Sequence, residues 1–176
     1  MLTPVLDDLL TVVADRTDLA AHPHASAVEQ EVLVYDADGL RAAPPEELVR
    51  ALADGPGVVV VRGALDPAVV DRATAEFDAM IAEQRAAGAV AGDHFAPPGA
   101  NDRVWNALEK LAVRAPEVFV DYYASDVVAR VAQAWLGPGY QVTSQVNVVH
   151  PGGPAQVGHR DYHLGFLPPA AVAVYR

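Results

Sequence analysis

Apolar residues recur at intervals of three and four through most of the first 139 residues, which is typical of helices with one buried face. The clearest helix begins at Asp66, a suitable cap, and Pro67, a suitable first helical residue, and it ends at Gly88. Its apolar stripe, which we expect to be core, consists of Val70, Ala73, Phe77, Met80 and Ile81. Further helices are predicted over residues 3–13, 44–52, 101–113, 116–123 and 125–136.

Strand patterns dominate the last part of the chain. Residues 140–150 alternate in strand fashion, and after a Pro-Gly turn a further strand is expected to carry residues 159–163. Upstream, residues 32–35 predict a short strand ended by the polar turn 36–39, and the four valines at 58–61 predict a strand buried on both faces. Helices followed by strands favour an α+β fold.

Composition narrows the function classes. The formal net charge is -11 and the sequence pI is near 4.7, which argues against nucleic acid or an anionic membrane as the main partner. The absence of cysteine excludes disulfides, thiolate metal ligands and a cysteine nucleophile. The sequence has no long apolar run and no basic stretch at its N-terminus, so we expect a cytoplasmic protein.

The strongest chemical signal is the sequence His-Arg-Asp-Tyr-His at residues 159–163. Alternate residues of a strand project from one face, so His159 and Asp161 are placed to bind one cation together. Such a pair supplies two members of the two-histidine, one-carboxylate triad that holds non-haem Fe(II). The alternative is structural, because an aspartate often only fixes the tautomer of a nearby histidine.

A third ligand is harder to assign. Residues four apart on a strand are separated by roughly 13 Å, so His163 joins the pair only if the chain bends sharply after Asp161. A distal histidine is the more natural ligand, and the sequence contains none after His163. Elsewhere, His22 and His24 flank a proline in a predicted loop, where we expect a solvated pair and not a metal site.

The stretch 140–166, YQVTSQVNVVHPGGPAQVGHRDYHLGF, resembles the phytanoyl-CoA dioxygenase family of Fe(II)- and 2-oxoglutarate-dependent oxygenases. The valine strand and proline-capped helix of residues 57–88 are also similar to that family. The resemblance implies a double-stranded β-helix, a cupin-like jelly-roll barrel, with His159 and Asp161 as iron ligands. The family's distal histidine and its 2-oxoglutarate-binding arginine would follow Arg176, so we expect residues 1–176 to form one truncated dioxygenase domain that is inactive by itself.

Within that domain, residues 1–139 are expected to be mostly helical, and residues 140–176 to begin an incomplete barrel. The resemblance further implies that 2-oxoglutarate and O₂ are cosubstrates: oxidative decarboxylation to succinate and CO₂ is coupled to hydroxylation of a small molecule. Gln145 and Asn147 share a strand face, which directs them either into the barrel, at the cosubstrate or the substrate, or into structural hydrogen bonds.

Four other residues are candidates for supporting roles. His163 either orients Asp161 or contacts substrate, unless it faces solvent, and Gln156 is a candidate for ordering the loop before His159. His94 and Trp105 lie in or near a glycine- and proline-rich loop, where they form either a substrate-facing lid or structural packing.

Two other functions compete with an oxygenase. One is another cupin-type metalloenzyme, which would usually have more histidines close to the first pair. The other is a non-catalytic acidic binding domain in which His-x-Asp is only structural.

Overall fold

The computed structural model describes residues 17–88 and 101–153. The predicted helix at 3–13 and the predicted strand at 159–163 lie outside these residues. Contacts between residues divide the chain into two compact units. The first comprises residues 1–76 and 108–143, and the second comprises residues 77–107 and 144–176.

The first unit contains a three-stranded sheet in the order β1-β2-β3. Strands β1 (Ala27–Glu29) and β2 (Val32–Asp36) are antiparallel and are joined by Gln30 and Glu31, which both have positive φ. Positive φ at both positions is the geometry of a two-residue hairpin whose twist matches that of its strands. Strand β3 (Val59–Arg62) pairs with β2 in parallel, so the chain must cross over between them.

Helices provide that crossover and close the core of the first unit. Helices α1 (Ala37–Ala42) and α2 (Pro45–Ala53) connect β2 to β3. Further along the chain are α3 (Pro67–Ala86), α4 (Ala107–Arg114), α5 (Pro116–Tyr123) and α6 (Asp126–Leu136). A one-turn 3₁₀ helix, Leu19–Ala21, precedes β1. The buried core residues come from β2, α1, α2 and α6: Leu33, Tyr35, Ala37, Leu40, Ala43, Leu48, Ala51 and Val127.

The second unit contains a two-stranded antiparallel sheet. Strand β4 (Asn101–Val104) pairs with β5 (Val146–Val149), with Asn101 opposite Val149 and Arg103 opposite Asn147. Residues 77–86 of α3 also belong to this unit. Its buried apolar residues in the described ranges are Met80, Ile81, Val104 and Ala107.

Most predicted helices are confirmed. The helices at 44–52, 116–123 and 125–136 correspond to α2, α5 and α6, and the longest corresponds to α3. Asp66 caps α3, because its Oδ1 accepts a hydrogen bond from the Ala68 N–H at 2.8 Å. The strand predicted at 32–35 is β2.

Four local predictions are wrong. Asn101–Val104 is a strand and not the start of a helix, because β5 pairs with it and tertiary pairing overrides local propensity. The strand predicted over 140–150 is limited to Val146–Val149. The valine strand is not buried on both faces, since Val60 on β3 is 45% exposed. The segment 36–39 is not a turn, because Asp36 is the N-cap residue of α1 and residues 37–39 are the first three residues of that helix.

His22 also differs from expectation. Its side chain is only 6% exposed, and its Nδ1 lies 2.9 Å from the backbone oxygen of Asp18. His24 contacts the buried carboxylate of Glu47 at 2.7 Å, so the pair is not simply solvated.

The mixture of helices and small sheets fits the predicted α+β class, whereas the jelly-roll barrel remains a prediction. In the part of the chain that the structure describes, no helix has the length and apolar character to cross a membrane.

Candidate functional site

The predicted site residues divide into two groups. Those outside the described residues are His159, Asp161, His163, Gln156 and His94. Gln145, Asn147 and Trp105 are described, and all three belong to the second unit. Gln145 immediately precedes β5 and is exposed, Asn147 is exposed within β5, and Trp105 follows β4 with 39% of its surface exposed.

Asn147 lies directly opposite Arg103 in the β4–β5 register. Residues opposite each other in an antiparallel pair project from the same face of the sheet, and so do alternate residues of one strand. Asn101, Arg103 and Asn147 therefore share one face of the second unit. This face is the part of the predicted cosubstrate region that the structure describes.

Arg103 has a buried guanidinium in which two of the three nitrogens lack a hydrogen-bond partner. The residue is 7% exposed, and both its Nε and its Nη1 are buried and unpartnered. Its guanidinium carbon lies 4.0 Å from the ring centroid of Trp105, a cation–π contact. Such a contact contributes about 0.5–2 kcal/mol, whereas leaving a charge buried and unpaired costs several. The site is therefore suited to an anionic group that would complete the bonding of Arg103.

Asn101 adds a second unpartnered group on the same face. This residue is 4% exposed, and its Oδ1 is buried without a hydrogen-bond donor. An anionic ligand can satisfy Arg103, whereas Asn101 Oδ1 requires a separate hydrogen-bond donor, such as a water molecule. The sequence interpretation missed both residues because it assigned them to a helix.

The opposite face of the sheet carries an ionic cluster. Asp102 accepts a hydrogen bond from Arg85 Nε at 2.9 Å and a second from Arg85 Nη2, and His150 Nε2 lies 2.6 Å from Asp102 Oδ2. Burial alone would raise the pKa of Asp102, but the hydrogen bonds from Arg85 and His150 outweigh burial and lower that pKa overall. The ionised carboxylate therefore favours folding at neutral pH, and this contribution is lost only as the pH falls through the lowered pKa.

The turn after β5 is held closely against β4. The Gly153 N–H donates to the His150 backbone oxygen at 2.8 Å, which closes the turn. A Cβ at Gly153 would collide with Asn101 Oδ1 and lie 3.0 Å from the His150 oxygen. Glycine is thus required by space at this position, where the chain leaves toward His159 and Asp161.

Within residues 17–88 and 101–153, no group of three or more histidine, cysteine, aspartate or glutamate side chains is arranged to hold a metal ion. The predicted ligands His159 and Asp161 lie outside those ranges. As donors, one imidazole and one carboxylate suit Fe(II), which takes two histidines and one carboxylate in facial-triad sites.

Comparison with protein families gives one match. The profile of the family Phytanoyl-CoA dioxygenase (PhyH) matches residues 53–175, more than half of the chain. The chain belongs to the phytanoyl-CoA dioxygenase family. The match includes β3, all of the described second unit, and the His-x-Asp segment, so the resemblance inferred from the sequence is confirmed.

Membership of the phytanoyl-CoA dioxygenase family identifies the chain as an oxygenase of the Fe(II)/2-oxoglutarate dioxygenase type. This family generally depends on Fe(II) and 2-oxoglutarate. Neither the curated proteins nor the solved structures compared with the chain gave a match.

The sequence does contain a signal for Asn101 and Arg103, which becomes clear once β4 is known to pair with β5. Asn-Asp-Arg-Val at 101–104 alternates between two faces, with Asp102 and the buried Val104 on one and Asn101 and Arg103 on the other. Period-two alternation indicates a strand, but four residues are too few to outweigh the helical pattern that follows.

Proposed function

We propose that this protein is a non-haem Fe(II)- and 2-oxoglutarate-dependent dioxygenase that hydroxylates an unactivated C–H bond of a small organic substrate. His159 and Asp161 are its metal ligands in this proposal, and Asn147 and Gln145 face the cosubstrate. Family membership supports the reaction type. The observation that carries the cosubstrate assignment is the buried, unpartnered guanidinium of Arg103.

The fit rests on charge and hydrogen bonding. 2-Oxoglutarate has two carboxylates. The resemblance assigns one of them to an arginine that would follow Arg176, so in this proposal Arg103, whose Nε and Nη1 lack acceptors, contacts the other. Asn147, directly across from Arg103, has an amide N–H to donate to an oxygen of the same ligand. Fe(II) held by His159 and Asp161 would activate O₂, which is the oxidant; 2-oxoglutarate would supply two electrons as it is decarboxylated to succinate and CO₂, with one oxygen atom going to succinate and the other to the substrate.

The protein's own residues have distinct tasks in this arrangement. Arg103 neutralises and orients a carboxylate, and Trp105 covers one face of the guanidinium, which limits the water that can compete for it. Asn147 fixes the rotation of the bound acid. His159 and Asp161 hold the metal on one side and leave the other side open for exchangeable ligands.

The test is an anaerobic titration with 2-oxoglutarate in the presence of Mn(II), which replaces Fe(II) without turnover. In a Trp135→Phe background, Trp105 is the remaining tryptophan and its emission reports on the neighbourhood of Arg103. We expect emission to change saturably, and Arg103→Gln to weaken 2-oxoglutarate binding roughly 10- to 150-fold, the value of a charged hydrogen bond.

Stability provides the control for this variant. Because Arg103 is an unpaired buried charge, Arg103→Gln should leave the free energy of unfolding unchanged or raise it. Arg72→Gln is the matched control, since Arg72 pairs with Asp121 in the first unit; it should leave the affinity for 2-oxoglutarate unchanged. Unaltered affinity in Arg103→Gln would rule out the cosubstrate assignment.

A further inference from the structure

We propose that Asp102, Arg85 and His150 form a clamp that positions the chain segment leading to His159 and Asp161, so that metal affinity depends on residues that do not touch the metal. This inference rests on the proposed function, in which those two residues are the ligands. The clamp consists of three side chains from α3, β4 and the residue after β5, all within the second unit.

The clamp is centred on a carboxylate that is largely shielded from water. The Asp102 side chain is 12% exposed, whereas those of Arg85 and His150 are 56% and 38% exposed. Arg85 occupies both oxygens of Asp102, and His150 shares Oδ2. A shielded carboxylate with two cationic or hydrogen-bonding partners holds both in a defined geometry, unlike an exposed ion pair.

The proton arrangement follows from the contacts. Asp102 is ionised and can only accept, so His150 Nε2 must carry the proton that it donates to Oδ2. Arg85 Nη2 also lies 3.2 Å from His150 Nε2, but a protonated ring nitrogen cannot accept a hydrogen bond. The hydrogen bonds of Arg85 therefore go to Asp102, and the carboxylate links helix α3 to the end of β5.

The contact between Asp102 and His150 also fixes the start of the turn at 150–153, which precedes the segment that contains His159 and Asp161. His150 is the first residue of that turn, and its backbone oxygen accepts the Gly153 N–H. On the other side, Gly153 lies against Asn101 of β4 with no room for a side chain. At one end of the turn His150 contacts Asp102, and at the other end Gly153 packs closely on Asn101.

His159 is six residues beyond Gly153, a span of roughly 20 Å at most when fully extended. Five residues separate the turn from His159 in the sequence, and in this proposal a displacement of the turn changes the geometry of the ligand pair. Metal sites tolerate little misplacement, and removing the groups that support ligands typically costs about 10- to 100-fold in affinity. We expect an effect of that order when the clamp is opened.

The experiment measures Mn(II) affinity calorimetrically in the full protein for His150→Ala, His150→Gln and Asp102→Asn. His150→Ala removes the donor to Asp102 and should weaken Mn(II) binding about 10-fold or more. His150→Gln keeps an N–H near the position of Nε2 and should restore most of the affinity. Asp121→Asn, which breaks the pair with Arg72 in the first unit, should not change it.

Rescue by glutamine separates positioning from general stability. The thermal unfolding midpoint is measured for each variant, and Mn(II) affinity should fall in His150→Ala even where the folded fraction at the assay temperature matches wild type. Equal affinity in wild type, His150→Ala and Asp102→Asn would overturn the clamp. An equal loss of Mn(II) affinity in His150→Ala and His150→Gln would also overturn the clamp, because binding would then depend on the imidazole ring and not on the hydrogen bond to Asp102.

The proposed function fails differently. If wild type binds no Mn(II), or if His159→Ala binds it as well as wild type, the ligand assignment is wrong and the clamp loses its target. If His159→Ala abolishes binding while the clamp variants bind normally, only the clamp is refuted.

Discussion

Two buried ionisable side chains show how differently a charge can be accommodated. Glu47 is 1% exposed, and its carboxylate accepts hydrogen bonds from the Tyr35 hydroxyl, the His24 backbone N–H and the His24 ring. Arg103 is similarly buried but has two unpartnered nitrogens. A satisfied group of this kind usually stabilises a fold, whereas an unsatisfied one is typical of a ligand site.

Tyr35 provides a pH test of the satisfied network. Burial first, and then the charge and hydrogen bond of Glu47, raise the pKa of Tyr35 far above the ordinary value of 10.0. A raised pKa in the folded state stabilises the fold below the unfolded pKa, and this contribution is lost as the pH rises through the folded value. Wild type should therefore lose stability above about pH 10, when the unfolded chain ionises its tyrosines.

The variant Tyr35→Phe removes the ionisable group and one hydrogen bond to Glu47. We expect it to lower the free energy of unfolding by about 1 kcal/mol at neutral pH and to reduce the loss of stability above pH 10. Urea unfolding at several pH values measures both effects. An unchanged alkaline profile in Tyr35→Phe would show that Tyr35 does not contribute to it.

At the level of elements, helices with strong local signals are predicted correctly from the sequence, whereas strands that depend on pairing between distant segments are not. The cap and proline at the start of α3, and the serine that caps α6, were recognisable from neighbouring residues. Strand β4 depends on β5, more than 40 residues later, and its own four residues read equally well as a helix start. Arg103, Asn101 and Asp102 were missed for the same reason, because their faces are defined only once the strands pair.

Gly153 tests how closely the turn after β5 is packed on β4. A methyl group there collides with Asn101 Oδ1, so Gly153→Ala should lower the free energy of unfolding by about 1–3 kcal/mol. Combining it with Asn101→Ala should recover part of the loss, giving a coupling of about 0.5 kcal/mol or more in a double-mutant cycle. Strict additivity would mean that Asn101 is not the obstacle.

At the scale of the whole molecule, family membership and charge define the function more firmly than architecture does. The family match extends from residue 53 to residue 175, which includes parts of both units. The α+β class is predictable from the order of helices and strands, and the stretches 140–166 and 57–88 carry the resemblance to the family that the family match confirms. The geometry of that pair remains a prediction, since it depends on residues outside the described ranges.

Metal binding should stabilise the protein by mass action. If Mn(II) binds the folded state alone, a concentration 100-fold above Kd adds about 2.7 kcal/mol to the free energy of unfolding. Unfolding followed by Trp105 emission in the Trp135→Phe background should shift by that amount. His159→Ala should abolish this shift. It should also abolish succinate release when Fe(II), 2-oxoglutarate and a panel of substrates are supplied. Retained succinate formation in His159→Ala would refute the ligand assignment.

Strand β3 has a practical consequence for anyone who handles this protein. In the described sheet β3 pairs with β2 on one side alone. Val58, which precedes the strand, is 48% exposed, and Val60 within it is 45% exposed. A valine-rich border with free backbone groups can recruit a strand from another molecule. Arg62, held at the end of β3 by Glu29 at 2.6 Å, is the nearest charge that would discourage such self-association. Concentrated samples should therefore become turbid sooner when that arginine is neutralised.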